Sequence, residues 1–289
     1  MGHIVTFGSF CPDNENLDVA IFGKLGSPEE LPQREILWGN EIKYLKKKGT
    51  KVVIDYSDHH LGVASNQTKF YKSNIGLADY VVVPSNKMAD LVAPFCGVPI
   101  HHISDAIEFN ILPPRQLNQN PKSIFWFGAK SNLKYLFSFI QSLKYDEPLV
   151  LNVLTDVKGI NIFQSTQLVS ATKFSVNLDI WSLNKMMETA LRSDVCIIPS
   201  DPSDIRKSGV GVNRLITALA LGLPVAATLI DSYSEFSSYF VDISRPDFFL
   251  LMKNPELFHK DVLLAQQNIV DKFTQKKIAT NWCNFIERL

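Results

Sequence analysis

Short apolar runs recur along this chain at intervals that leave room for one helix between successive runs. Lys51-Val52-Val53-Ile54-Asp55, Tyr80-Val81-Val82-Val83, Pro99-Ile100-His101-His102-Ile103, Ser123-Ile124-Phe125-Trp126-Phe127, residues 149–154 and Asp194-Val195-Cys196-Ile197-Ile198 are too short for helices and too uniformly apolar for half-exposed strands. They read as strands buried in parallel sheets. Between them the apolar spacing changes to three and four, predicting helices over 28–48, 132–143 and 183–192 and from Val212 onward. The first of these has Ser27 at its start, Glu29 and Glu30 in its first turn and Lys46, Lys47 and Lys48 before Gly49, charges that match the helix dipole. Shorter strands are predicted at residues 4–7 and 19–22 around a polar turn at 12–16, and an edge strand at 173–178. The tail from Pro255 to Leu289 reads as one long or two shorter amphipathic helices.

Such alternation predicts an α/β chain with parallel sheets in Rossmann-like domains. The polar, proline-containing stretch at 110–121 is the natural interdomain connection. It divides the chain into a smaller domain at 1–115 and a second at 116–289.

The chemistry concentrates between Arg206 and Thr228, in RKSGVGVNRLITALALGLPVAAT. Leu215, Ile216, Leu219, Ala220 and Leu223 form the apolar stripe of a helix, and Asn213, Arg214 and Thr217 take another face. Gly222 suits a left-handed C-cap, Pro224 cannot continue the helix, and Val225-Ala226-Ala227 is short enough for a buried strand. Upstream, Lys207, Ser208, Gly209 and Gly211 precede the helix start. Backbone N–H groups there, with the Lys207 and Arg214 charges, suit an anion such as a phosphate; the same glycines also suit a plain turn.

The run NRLITALALGLPVAAT, preceded by SDVCIIPSD and Lys207, resembles the nucleotide-sugar-binding half of GT-B glycosyltransferases, especially the retaining group of sucrose and glycogen synthase relatives. ADYVVVPSNKMADLV followed by GVPIHHISDAIEFN is similar to the first-domain pattern of the same enzymes. The resemblance implies two Rossmann-like domains facing each other across a cleft, the first of them reduced, with the last helix returning to it. It also implies a donor site on the second domain. Family members usually carry an acidic residue on the loop and Glu-Ala eight positions later; here these positions hold Gly209 and Thr217. Lys207, Asn213 and Arg214 are therefore expected to do more of the binding. Gly128 and Lys130, on the first strand-to-helix loop of the second domain, Ser208, and Glu235 beyond Asp231 complete the expected donor site. Trp181 is a weaker candidate to flank a base.

Composition narrows the partners. The 289 residues are 46% hydrophobic and 20% charged, with Lys plus Arg equal to Asp plus Glu at 29 each. No overall field draws the chain to nucleic acid, and no apolar run reaches membrane-span length. The expected setting is cytoplasmic, with peripheral contact at the inner face of a membrane or a homo-oligomer as compatible arrangements. Cys11, Cys96, Cys196 and Cys283 lie far apart and are expected reduced. The adjacent pairs His59-His60 and His101-His102 point to opposite faces of a strand, so no metal site is predicted.

A second ionisable cluster, Asp55-Tyr56-Ser57-Asp58-His59-His60, stands at the end of a predicted strand. Asp58 and His59 are the candidates for activating an acceptor hydroxyl, with turn capping by the aspartates as the alternative. A retaining transfer needs no protein base. The expected activity is metal-independent transfer of a sugar from a nucleoside diphosphate sugar, a co-substrate and not a cofactor, to a glycan or lipid-linked acceptor. A non-catalytic sugar-nucleotide-binding scaffold and a nucleotide-sugar epimerase are the alternatives.

Overall fold

The computed structural model of the protein describes residues 4–8, 16–26, 31–115, 122–145, 147–166 and 174–289. The expected turn at 12–15, the Ser27 cap, Cys11 and the end of the interdomain connection lie outside them. Contacts divide the chain into two compact units, one of Met1–Ser104 with Gly209–Gly211 and Thr280–Leu289, the other of Asp105–Ser208 and Val212–Ala279.

The first unit runs β1 (Val19–Phe22), α1 (Leu31–Lys47), β2 (Lys51–Asp55), α2 (Thr68–Asn74), β3 (Tyr80–Val83), α3 (Asn86–Val92) and β4 (Ile100–His102). Its four strands are all parallel in the order β1-β2-β3-β4. Val52, Ile54, Val81 and Val83 line one sheet face and pack on Ile42, Leu45, Met88 and Val92 of the helices. Asp79 ties the layers together, because its carboxylate accepts from Val52 N at 2.8 Å and from Lys46 Nζ at 2.8 Å. The lysine run that ends α1 thus carries an ion pair as well as a dipole match. Ser85 caps α3 by accepting from Met88 N.

The expected strand at 4–7 does not form. Ile4 and Phe7 are 98% and 92% exposed, and among the described residues the sheet ends at β1. Strand propensity without a pairing neighbour does not make a strand. Phe285, in the returning segment, packs on Tyr80 and stacks on His101 at a centroid distance of 4.9 Å.

The second unit contains β5 (Lys122–Phe127), α4 (Leu133–Ser142), β6 (Leu149–Thr155), α5 (Val157–Ser165), β7 (Phe174–Ile180), α6 (Leu183–Leu191), β8 (Val195–Ile198), α7 (Ile205–Ser208), α8 (Asn213–Ala220), β9 (Val225–Ala227), β10 (Val241–Asp242), α9 (Asp247–Lys253) and α10 (His259–Asn268). Helix α11 (Gln275–Ile286) starts here and ends in the first unit. The sheet is parallel in the order β10-β9-β8-β5-β6-β7. The chain therefore builds outward from β5 to one edge, then returns to β8 and builds to the other, which is the doubly wound arrangement. The edge strand expected near 173–178 is β7, seven residues long. The tail is two helices, separated by a 3-10 turn at Val270–Phe273. β10 and α9 were not legible, the first because two residues carry no period.

Asn152 is buried in the middle of β6, yet it is satisfied. It donates to Ser123 Oγ at 2.7 Å and Ser193 Oγ at 3.0 Å and accepts from Asn177 Nδ2 at 2.9 Å. Residues 105–115 group with this unit because their backbone is bonded to it. Ile107 N donates to Phe273 O, Leu112 N to Ala220 O and Arg115 N to Gly222 O, each at 2.8 Å. Cys96, Cys196 and Cys283 are unpaired.

Gly222 ends α8 at φ +78°, as its place in the sequence predicts. A Cβ there would meet Pro113 O at 2.1 Å, whereas one at Gly49, with φ +86°, would meet nothing within 4 Å. In urea denaturation, Gly49→Ala is expected to cost about 1 kcal/mol, the left-handed penalty alone. Gly222→Ala adds a backbone collision and is expected to cost about 3 kcal/mol or more.

Candidate functional site

In a doubly wound sheet, strands on either side of the winding reversal send their connections to opposite faces and open a crevice at their carboxyl ends. In the second unit that reversal lies between β5 and β8. Gly128 follows β5, and the loop that follows β8 leads through α7 to α8.

Arg214, the second residue of α8, extends to this point. Its guanidinium carbon lies 5.4 Å from the Trp126 ring centroid and 5.7 Å from that of Phe127. A Cβ on Gly128 would stand 3.5 Å from it and 3.2 Å from the Trp126 ring. A side chain at 128 would therefore crowd the Trp126 ring and stand in contact with the cation. Arg214 is partly exposed as a residue, but its Nε and Nη2 are buried with no hydrogen-bond partner among the described residues. Burial pushes its pKa down, opposed by nearby Tyr233 and Cys196; a guanidinium remains cationic nonetheless. The same burial raises the Cys196 thiol to about 12 and pushes the Tyr233 hydroxyl up, so neither is a counter-ion at neutral pH. A buried cation with two N–H donors left to pair is suited to binding an anion.

Beside Gly128 opens a cavity of about 840 Å³, a size that suits a small-molecule ligand. Gly128, Asn213 and Thr217 line it, and Trp181 lines it at 43% exposure. Three carboxyl-bearing residues also line it: Asp105, Glu108 and Asp156. Asp156 is committed to structure, because it caps α5 by accepting from Gly159 N at 2.9 Å and also accepts from Lys130 N at 2.7 Å. Burial alone would raise its pKa, but those N–H groups outweigh it and hold the carboxyl low. Asp105 and Glu108 belong to the GVPIHHISDAIEFN stretch that carried the resemblance, but nothing in it marked them as ligand-facing; they stand in an irregular segment and reach the cavity through the tertiary fold.

The remaining expected donor residues lie apart from the cavity lining. Lys130 is exposed on the loop after β5. Lys207 reaches the same loop, donating from Nζ to Asn132 Oδ1 at 3.0 Å and lying 5.8 Å from the Tyr135 ring. Tyr135 donates to Asp204 at 2.9 Å, and Asp204 also takes a two-point bond from Arg206. Arg206 chiefly, with Tyr135, holds the Asp204 carboxyl well below the usual range.

Ser208 donates to Asp231 at 2.8 Å. Gly209 groups with the first unit, where its carbonyl accepts from Ser85 Oγ at 2.8 Å and a Cβ would lie 3.1 Å from Met88 Cα; close packing accounts for that glycine. Glu235 is exposed in a 3-10 run, Asp231–Tyr239, that buries Tyr233 and Phe236 and so turns Glu235 to solvent.

In the first unit, Asp58 and His59 have separate partners. Asp58 pairs with Lys24 at 3.1 Å and is half exposed. His59 is 3% exposed, and its Nδ1 lies 3.5 Å from the Tyr56 hydroxyl. That hydroxyl also accepts from the backbone N–H groups of His60 and Leu61 and so organises the loop. Among the described residues, no group of three or more His, Cys, Asp or Glu is arranged to hold a metal ion, and no helix is long and apolar enough to cross a membrane.

No family profile and no curated protein sequence matches the chain. Solved structures do. HepE of Anabaena, solved with UDP, superposes with a TM-score of 0.64 at 12% identity, over 89% of this chain and 77% of that one. An alpha-glucosyltransferase solved with UDP-glucose and DNA containing an abasic site gives 0.61 at 12% identity, over 93% and 80%. The pneumococcal O-GlcNAc transferase GtfA, solved with UDP and GlcNAc, gives 0.53 at 12% identity, over 85% of this chain and 54% of that one. The chain has the GT-B fold of these neighbours, with two Rossmann-like units.

Two outcomes follow from the site's electrostatics. Arg214→Met removes a desolvated, unpartnered charge while keeping much of its volume, and is expected to stabilise the ligand-free protein by about 1–2 kcal/mol in urea denaturation. Burial depresses the His59 pKa below 6.5, so the folded state favours the neutral ring. Its contribution to stability is complete above about pH 6.5 and is lost as pH falls through the lower folded value. His59→Gln is expected to flatten the loss of stability between pH 7 and pH 5.

Proposed function

We propose that this chain is a glycosyltransferase that moves a sugar from a nucleoside diphosphate sugar to a glycan or lipid-linked acceptor. The observation that carries this reading is the buried, unpartnered guanidinium of Arg214 at the winding reversal, next to Gly128 and an 840 Å³ cavity. A diphosphate is the leaving group in such a transfer and gains charge as the glycosidic bond breaks. A fixed cation in a desolvated position stabilises that charge more than water would. Lys207, held at the neighbouring loop by Asn132, supplies a second charge in this reading, and the two cations replace a metal. Three neighbours solved with UDP or UDP-glucose support uridine as the base, and Trp181 in the cavity wall offers a ring for it.

The acceptor is assigned to the first unit, where the half-exposed Asp58 is the candidate to meet a hydroxyl; His59, at 3% exposure and facing the Tyr56 hydroxyl, supports that loop from within. Although one neighbour was solved with DNA, the balance of 29 basic and 29 acidic residues favours a sugar or lipid-linked acceptor over a polyanion.

The test is thermal and chemical stabilisation by UDP, GDP, dTDP, ADP and CMP, followed by donor turnover. UDP at a hundred times its Kd is expected to raise stability by about 2.7 kcal/mol, and Arg214→Met is expected to abolish the response while remaining folded. Sugar transfer is expected to persist in EDTA. A protein that responds to no nucleotide, or an Arg214→Met variant that responds as wild type does, overturns the reading.

A further inference from the structure

The cavity has two walls of different chemistry. Phe127, Ile180, Trp181 and Met186 make one of them apolar. On the polar side, Asp105 is held in place. Its Oδ2 accepts a short hydrogen bond from Asn213 Nδ2, and its Oδ1 has no hydrogen bond among the described residues. Asn213 begins α8, and Thr217 is four residues on and also lines the cavity. Residues spaced by four share a helix face about 6 Å apart. The tether to Asn213 therefore presents a carboxylate one turn from the Thr217 hydroxyl, on the same side of the helix.

Such a carboxylate repels phosphate, so it faces an uncharged part of the ligand. It accepts only, and a rigid acceptor beside a hydroxyl is complementary to two neighbouring O–H groups. Arg214 stands next to Asn213 in sequence and turns its charge to the end of β5. Anion and hydroxyl positions thus lie at adjacent residues of one helix N-terminus. A nucleoside diphosphate carries a vicinal diol on its ribose ring, separated from its first phosphate by the C5′ methylene and C4′.

We infer that Asp105, positioned by Asn213 and accompanied by Thr217, binds the 2′- and 3′-hydroxyls of the donor's ribose. This rests on the donor-site reading above and assigns to the irregular segment after β4 a contact that α8 lacks the carboxylate to make. Asp105 is a binding and specificity residue in this role. It selects ribonucleotides over deoxyribonucleotides.

The experiment is calorimetric titration of wild type, Asp105→Ala and Asp105→Asn with UDP, 2′-deoxy-UDP and UDP-glucose. Wild type is expected to prefer UDP over 2′-deoxy-UDP by about 10- to 100-fold, the range of a hydrogen bond to a charged group. Asp105→Ala is expected to lower that preference to about twofold or less, through weaker UDP binding with 2′-deoxy-UDP little changed. Asp105→Asn keeps an acceptor oxygen and is expected to fall between. Equal weakening of both nucleotides by Asp105→Ala would mean a structural role and overturn the inference. Loss of UDP-glucose affinity with UDP unchanged would place the carboxylate on the sugar, and also overturns it. If wild type binds UDP through Arg214 without distinguishing the deoxy compound, this inference fails and the donor-site reading stands. If wild type binds no nucleotide, both fail.

Discussion

A guanidinium with two buried nitrogens and no hydrogen-bond partner among the described residues is unfavourable in a folded chain, and the second unit is built in a way that keeps it so. Arg214 lies on the first turn of α8, whose Leu215, Ile216 and Leu219 are fully buried; the helix cannot rotate to bring the charge to water without exposing them. Trp126 and Phe127 hold the guanidinium by their ring faces, which attract a cation without neutralising it. The nearby ionisable groups, Cys196 and Tyr233, are themselves desolvated and stay protonated. Each feature is ordinary packing. Together they preserve a positive charge that the fold does not satisfy.

The position of that charge follows from topology. Winding outward from β5 and then returning through β8 places the two loops at one opening, and Gly128 there leaves the Trp126 ring uncrowded beside Arg214. Strength elsewhere keeps the opening rigid. The Asn152 network closes the polar groups in the middle of the sheet, Asp156 joins the loops after β5 and β6, and Asp204 fixes the loop after β8 through Arg206 and Tyr135. Acidic residues near the cavity thus divide between those already committed to backbone and cations and those, Asp105 and Glu108, that still present oxygen to the cavity.

Much of this architecture was legible in the sequence because its signals are local. Strand β5 and helices α4, α6 and α8 come from apolar period and length, and Gly222 from the single conformation its neighbours Leu221, Leu223 and Pro224 leave open. The GT-B resemblance came from the same stretch. Gly128, Asn213 and Arg214 were named for standing at strand ends and helix starts, and Thr217 through the resemblance; Gly128, Asn213 and Thr217 share the cavity wall, and Arg214 stands next to Gly128.

What the sequence could not supply is where separate segments meet. It offered residues 4–7 as a strand because propensity is local, whereas a strand needs pairing, and these exposed residues do not occupy the outer edge of β1. Gly209 had the composition of a phosphate loop, but its lack of a side chain is required by Met88 and Leu91. Asp105 stood inside the GVPIHHISDAIEFN stretch without a role of its own, and it lines the cavity because the backbone of 107–115 is bonded to the ends of distant helices. Hydrophobic period and backbone conformation are written residue by residue, so the sequence alone determined the elements and their class. Burial, pairing and the partnering of charges depend on chain segments a hundred residues apart, and only the tertiary structure decided those.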